Sequence, residues 1–292
     1  MERVLGNKKV YLVFVLPAFI IYLAIVILPI FISVYYSSLD WNGFGDGVFI
    51  GFKNYFKMFS DSKFIIAVRN SLTLAVVAVL GQIVPGMLLA LILSRGFKGE
   101  KVFRTIFFIP VVISTVIIGQ MFLKIYNAEY GMLNSIISLT GIGTTNDWLG
   151  NTKTVLICCF IPVAWQYIGY HMLLLYTAAK SIPTEIYEAA YIDGANEVSI
   201  AFKITIPLIS NMIKTCIVFA VIGSLKFFDL IWILTKGGPL HVSEVPSTMM
   251  YNTIFSRGEY GYGSATAIFI IVECLVFYLI INKLYKVNDI TY

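Results

Sequence analysis

Long apolar runs separated by short polar stretches make up most of the chain. A helix crossing hydrocarbon needs about 20 predominantly apolar residues. Six runs approach or exceed that length, roughly 10–36, 72–93, 106–123, 155–176, 208–234 and 265–284. Arg3, Lys8 and Lys9 precede the first run, as in a secretory leader. That run is far longer than the roughly 7–15-residue core of a signal peptide, and no small-residue cleavage site follows it, so it reads as a retained anchor. The pattern predicts an all-α membrane protein with six transmembrane helices.

Composition agrees with the pattern: 59% of the 292 residues are hydrophobic and 13% charged, against about 25% charged in a typical soluble domain. The formal net charge of +5 sits beside the apolar runs, which argues against a nucleic-acid partner and for contact with membrane lipid. Cys158, Cys159, Cys216 and Cys274 all lie inside apolar runs without metal-ligand or disulfide spacing, so they read as small apolar side chains. With the N-terminus inside, the cytosolic segments carry basic residues at about twice the density of the external ones, which predicts both termini in the cytosol. The expected boundaries are a cytosolic N-terminus at 1–9, a membrane domain at 10–286 and a cytosolic tail at 287–292.

Several polar groups interrupt the runs. Gln166 lies in the fourth, and an unsatisfied amide in hydrocarbon is costly, so it should face protein or a wet cavity. His171 has no ligand-spaced partner and fits an interhelical hydrogen bond rather than a metal. Lys226 falls near mid-bilayer in the fifth run, with Asp229 three residues on as a neutralising partner; Glu273 in the sixth is another. Pro110 reads as an early-turn proline of the third span. The segments 37–71 and 124–154 read as external.

The most informative polar stretch is 183–207. Pro183 and Thr184 open a helix with the acids Glu185 and Glu188 near its start, where the helix dipole favours them. Asp193-Gly194 ends it, Asn196 caps a second helix, and Pro207 falls where the next span takes its first turn. The object is an elbow at the membrane surface carrying acids and the small residues Ala189 and Ala190.

These residues carry a family resemblance. Glu188-Ala189-Ala190, then Gly194 after three residues, then Ile204 and Pro207, resembles the EAA loop of ATP-binding-cassette (ABC) importer permeases, with Ile206 in place of the usual Leu. Phe228-Asp229 and Leu234-Thr235-Lys236-Gly237-Gly238-Pro239 resemble a signature of one subtype of binding-protein-dependent sugar permeases. Gly51–Tyr55, Arg69-Asn70-Ser71 and Glu259–Ala267 are similar to other stretches of that family. The resemblance spans about Tyr11 to Lys286 and implies an importer of the maltose and glycerol-phosphate type in a bacterial or archaeal cell membrane. It implies an extracellular solute-binding protein, a second and different permease, and two ATPase subunits docked on a coupling elbow of Glu185, Glu188, Ala189, Ala190, Asp193, Gly194 and Pro207. It also implies a sugar path along Thr115, Gln166, Tyr167, Ala220, Gly223 and Ser224, with Lys226 one helical step beyond.

The chain has no GxxxxGK[ST] loop to cradle ATP phosphates, so no cofactor is expected on it, and ATP and Mg belong to the partner ATPase subunits. The alternatives are a secondary transporter, which often shows inverted repeats, or a polytopic membrane enzyme. No convincing repeat is visible, and His171 and His241 are too far apart for an HExxH pair.

Overall fold

The computed structural model describes residues 8–140 and 146–285. Arg3, Gly141, Gly143, Lys286 and the tail 287–292 lie outside the described residues. The helical stretches Val13–Ser37, Ser62–Ser94, Val155–Lys180, Ser210–Thr235 and Tyr260–Leu284 are each long and apolar enough to cross a membrane. Glu100–Val112 and Thr115–Ile125 form a sixth candidate, bent by 91°.

Three one-turn π-helices, Leu23–Ile27, Val79–Ile83 and Ala201–Thr205, are each followed two residues later by a proline: Pro29, Pro85 and Pro207. Proline has no N–H for the carbonyl four residues back, and its ring crowds that carbonyl. In each case the carbonyl lies inside the π-turn, whose wider loop relieves the clash. The sequence expectation for Pro207 is corrected accordingly. Helix begins at Glu197, and the long Ser210–Leu225 helix starts only after Ile209 leaves helical geometry (φ −92°, ψ 12°).

The chain divides into two compact units, Met1–Asp61 with Met249–Ile271 and Ser62–Thr248 with Val272–Tyr292. In the first unit, the expected loop after the anchor helix carries structure of its own. Leu39–Asp40 pairs antiparallel with Val48–Phe49, and a helix follows at Lys53–Ser60. The buried Asn54 ties these together, donating through Nδ2 to the carbonyls of Ser37 (2.9 Å) and Leu39 (2.8 Å). Trp41 lies between the rings of Tyr36 and Tyr260, and Lys57 pairs with Glu259 at 2.9 Å.

In the second unit, the Val155–Lys180 helix packs against Val84–Ser94 and Glu100–Val112. Lipid removes the hydrophobic driving force between helices, so close backbone approach through small residues takes its place. Gly169 lies against the Phe107–Phe108 backbone, and Gly86 against the backbone of Ile168 and Met172. Two apolar clusters flank these contacts, one including Leu74, Ile118, Cys158, Cys159 and Leu230, the other Ala90, Met172, Leu175 and Cys216. The segment 124–154, read from the sequence as external, holds a helix, Met132–Leu139.

Two expected spans are not continuous helices. The third breaks at Ile113 and Ser114, both extended (ψ 135° and 132°). Pro110 sits deep inside Glu100–Val112 rather than in a first turn, and that helix ends two residues after it. The fifth is interrupted at Lys226–Phe228, between Ser210–Leu225 and Asp229–Thr235. Lys226 and Asp229 are therefore not neighbours on one helical face, and they form no ion pair. The tight turn after the fifth span is present, with Lys236 and Gly237 left-handed (φ 52° and 88°) and the buried Asn70 Nδ2 donating to the carbonyls of Val242 and Glu244.

Candidate functional site

The second unit contains a cavity of about 610 Å³. The long Val155–Lys180 helix contributes Tyr167, Tyr170 and His171, and the π-turn before Pro85 contributes Gln82. The Ser210–Leu225 helix supplies Ala220, Gly223 and Ser224. The interruption in the fifth span brings in Lys226, Phe228 and Asp229, and the last helix adds Tyr278. Aromatic faces thus alternate with hydroxyl, amide, ammonium and carboxylate groups.

Of the path residues expected from the sequence, Tyr167, Ala220, Gly223, Ser224 and Lys226 line this cavity together. Gln166 and Thr115 do not. Gln166 is 2% exposed and lies behind the wall, its Nε2 3.5 Å from the Ile113 carbonyl and 3.4 Å from Thr115 Oγ1. It serves the break in the third span, where an extended residue frees a carbonyl that hydrocarbon would leave unsatisfied. Ser224 turns its hydroxyl back to the Ala220 carbonyl at 2.7 Å, which occupies its proton. Lys226 and Asp229 are both exposed on the cavity wall.

The sequence reading left Gln82, Tyr170 and Tyr278 unassigned. Gln82 had a legible signal, an amide inside an apolar run just before a proline. His171 makes the expected interhelical hydrogen bond, its Nε2 3.2 Å from Gln82 Oε1.

The 183–207 stretch has the local geometry its residues dictate. The helix Thr184–Ile192 ends with Gly194 at φ 78°. The Gly194 and Ala195 N–H groups close back on the Tyr191 and Ala190 carbonyls, each at 3.0 Å, the paired bonds of a glycine-terminated helix. Asn196 Oδ1 caps Glu197–Ile200 by accepting from Ser199 N at 2.8 Å. Glu185, Glu188, Ala189, Asp193, Gly194 and Pro207 are exposed, whereas Ala190 is buried against the chain itself. Glu197 accepts from Tyr191 Oη at 2.6 Å and pairs with Arg95 Nε at 3.2 Å; the hydrogen bond to this carboxylate raises the Tyr191 phenol above its ordinary pKa.

A family model described as "Binding-protein-dependent transport system inner membrane component" matches residues 82–286. The chain belongs to this family. A probable ABC transporter permease, YurN of Bacillus subtilis, is 36% identical over 96% of this chain and 97% of its own. The trehalose/maltose transport system permease MalF of Thermococcus litoralis is 31% identical, covering 95% of this chain and 94% of its own. A diacetylchitobiose uptake system permease, NgcF of Streptomyces coelicolor, is 30% identical over 93% of this chain and 80% of its own. Among solved structures, a bacterial alginate ABC transporter in complex with its pentasaccharide-bound periplasmic protein superimposes with a TM-score of 0.84 at 25% identity, covering 96% of this chain and 95% of that one. The protein is a permease subunit of an ABC importer, a multi-pass component of the cell membrane that transports rather than catalyses. The secondary-transporter and membrane-enzyme alternatives are not favoured.

Proposed function

We propose that the chain forms half of the translocation path for a sugar or oligosaccharide handed over by an extracellular solute-binding protein. The observation that carries this reading is the cavity: the aromatic rings of Tyr167, Tyr170, Phe228 and Tyr278 stand beside hydroxyl, amide and charged groups. A sugar has apolar faces and a polar rim, and such a wall complements both. The names of the relatives, which mention trehalose, maltose and diacetylchitobiose, support the same class. A second, different permease supplies the other half of the path, and two ATPase subunits hold ATP and Mg.

In this reading both termini and the 183–207 elbow are cytosolic, and the elbow docks in a groove of one ATPase subunit. Glu185, Glu188 and Asp193 offer acids to donors on that surface, Ala189 permits close approach, and Gly194 sets the angle of the turn. Ala190, buried against the chain, shapes the elbow from within, and the exposed Pro207 follows the π-turn at its far end. The test is co-expression with the cognate permease and ATPase, followed by ATP-driven uptake in proteoliposomes. Gly194→Val forces a β-branched residue into a left-handed conformation, and Glu188→Lys places a repulsive charge at the docking face. Both are expected to abolish uptake and weaken ATPase recovery while membrane insertion persists. Normal uptake by both variants would remove the coupling role.

A further inference from the structure

Gln82 and His171 form a hydrogen-bonded pair on the cavity wall, and its bonding is oriented. Gln82 Nε2 lies 3.2 Å from the Val163 carbonyl, which can only accept. The amide is therefore oriented with Oε1 toward His171 Nε2, also at 3.2 Å. An amide oxygen likewise only accepts, so His171 Nε2 carries the hydrogen. In the uncharged ring the lone pair then resides on Nδ1, a tautomer assigned by the network. The His171 residue is 2% exposed and Gln82 3%, and Nδ1 has no hydrogen-bond partner. A buried acceptor without a donor is costly, and this one belongs to a residue that lines the cavity.

We propose that His171 Nδ1 is an acceptor for a hydroxyl of the cargo, with Gln82 as the positioning residue that holds the ring in the accepting tautomer. This rests on the reading of the cavity as the sugar path. It adds a specificity element, because a cargo that places no hydroxyl hydrogen at this point leaves the acceptor unsatisfied. The Tyr170 ring, 5.3 Å from that of His171 and nearly perpendicular to it, offers an aromatic edge beside the acceptor.

Two isosteres separate this role from a structural one. In His171→Asn the amide lies near the position of Nδ1 and reaches the cargo but not Gln82. In His171→Gln it lies near Nε2 and keeps the Gln82 bond but loses the acceptor. The complete importer is reconstituted with its binding protein, and ATP-driven uptake of maltose, trehalose and diacetylchitobiose is measured. For whichever sugar the wild type accumulates, His171→Gln is expected to fall roughly tenfold and His171→Asn distinctly less. The reverse order, or equal loss, would overturn the proposal and leave His171 as a helix-to-helix contact. Wild-type uptake of none of the three would count against the sugar reading itself. The acceptor assignment is then decided without cargo by ¹⁵N solid-state NMR of the histidine-labelled importer, taken as the difference from His171→Gln. A non-protonated Nδ1 is expected, and a protonated Nδ1 in the uncharged ring would overturn the proposal.

Discussion

Gly169→Ala adds one methyl group where two helix backbones touch. A Cβ at Gly169 would lie 2.7 Å from the Phe107 carbonyl carbon and 3.0 Å from Phe108 Cα, with the Phe107 oxygen nearer still. Ordinary contact begins near 3.4 Å, so the carbonyl carbon alone must retreat by 3.4 − 2.7 = 0.7 Å. The obstruction is backbone and cannot rotate away, so the helices must part. Overpacking of this kind costs about 1–3 kcal/mol, occasionally more. Against it stands a helix-propensity gain of about 0.5–1 kcal/mol for replacing an interior glycine. The difference leaves a loss of up to about 2.5 kcal/mol, or at most roughly 5–10 °C in midpoint at about 2–4 °C per kcal/mol for a large domain. Gly86→Ala should cost less, because its Cβ would sit 3.0 Å from Met172 N and 3.1 Å from the Ile168 carbonyl oxygen. Gly223→Ala meets nothing within 4 Å and should keep the propensity gain. The assay is thermal loss of the monodisperse importer, followed by fluorescence-detected size exclusion in one detergent for all three variants. The expected order of midpoints is Gly223→Ala, then Gly86→Ala, then Gly169→Ala. A Gly169→Ala midpoint at or above that of Gly223→Ala would refute the argument that backbone approach sets this packing.

Three further outcomes follow from the geometry. Because Lys226 and Asp229 are not paired, neutralising both should be no better tolerated than the sum of Lys226→Ala and Asp229→Asn, and recovery of uptake in the double variant would point instead to a structural pair. Asn70→Ala removes both donors from the Val242 and Glu244 carbonyls and should lower stability by about 1–3 kcal/mol, read as a lower midpoint in the same thermal assay; an unchanged midpoint would contradict it. Single cysteines introduced at positions 42, 197 and 240, all exposed, should label from outside at 42 and 240 and only after permeabilisation at 197, whereas external labelling at 197 would invert the orientation.

The apolar runs by themselves determined the class of protein and the number and approximate position of its candidate spans, because hydrocarbon demands long stretches whose backbone polar groups are satisfied within the segment. Local chemistry also wrote the elbow: a glycine where φ must be positive, an asparagine where a second helix needs a cap, and acids at a helix start all act within a few residues. Pairwise arrangement across the chain was decided only in three dimensions. Pro110 looked harmless from its place in an apolar run, yet the break three residues later needs Gln166 from another helix to serve the freed carbonyl, a contact between residues 53 positions apart. Lys226 and Asp229 looked like one-turn partners because three-residue spacing means contact only while the helix continues, and it does not continue there. Gln82 and His171 are separated by 89 positions. No periodicity links them, and they meet because Gly86 lets their two helices close together while the π-turn before Pro85 accommodates the missing backbone donor beside Gln82.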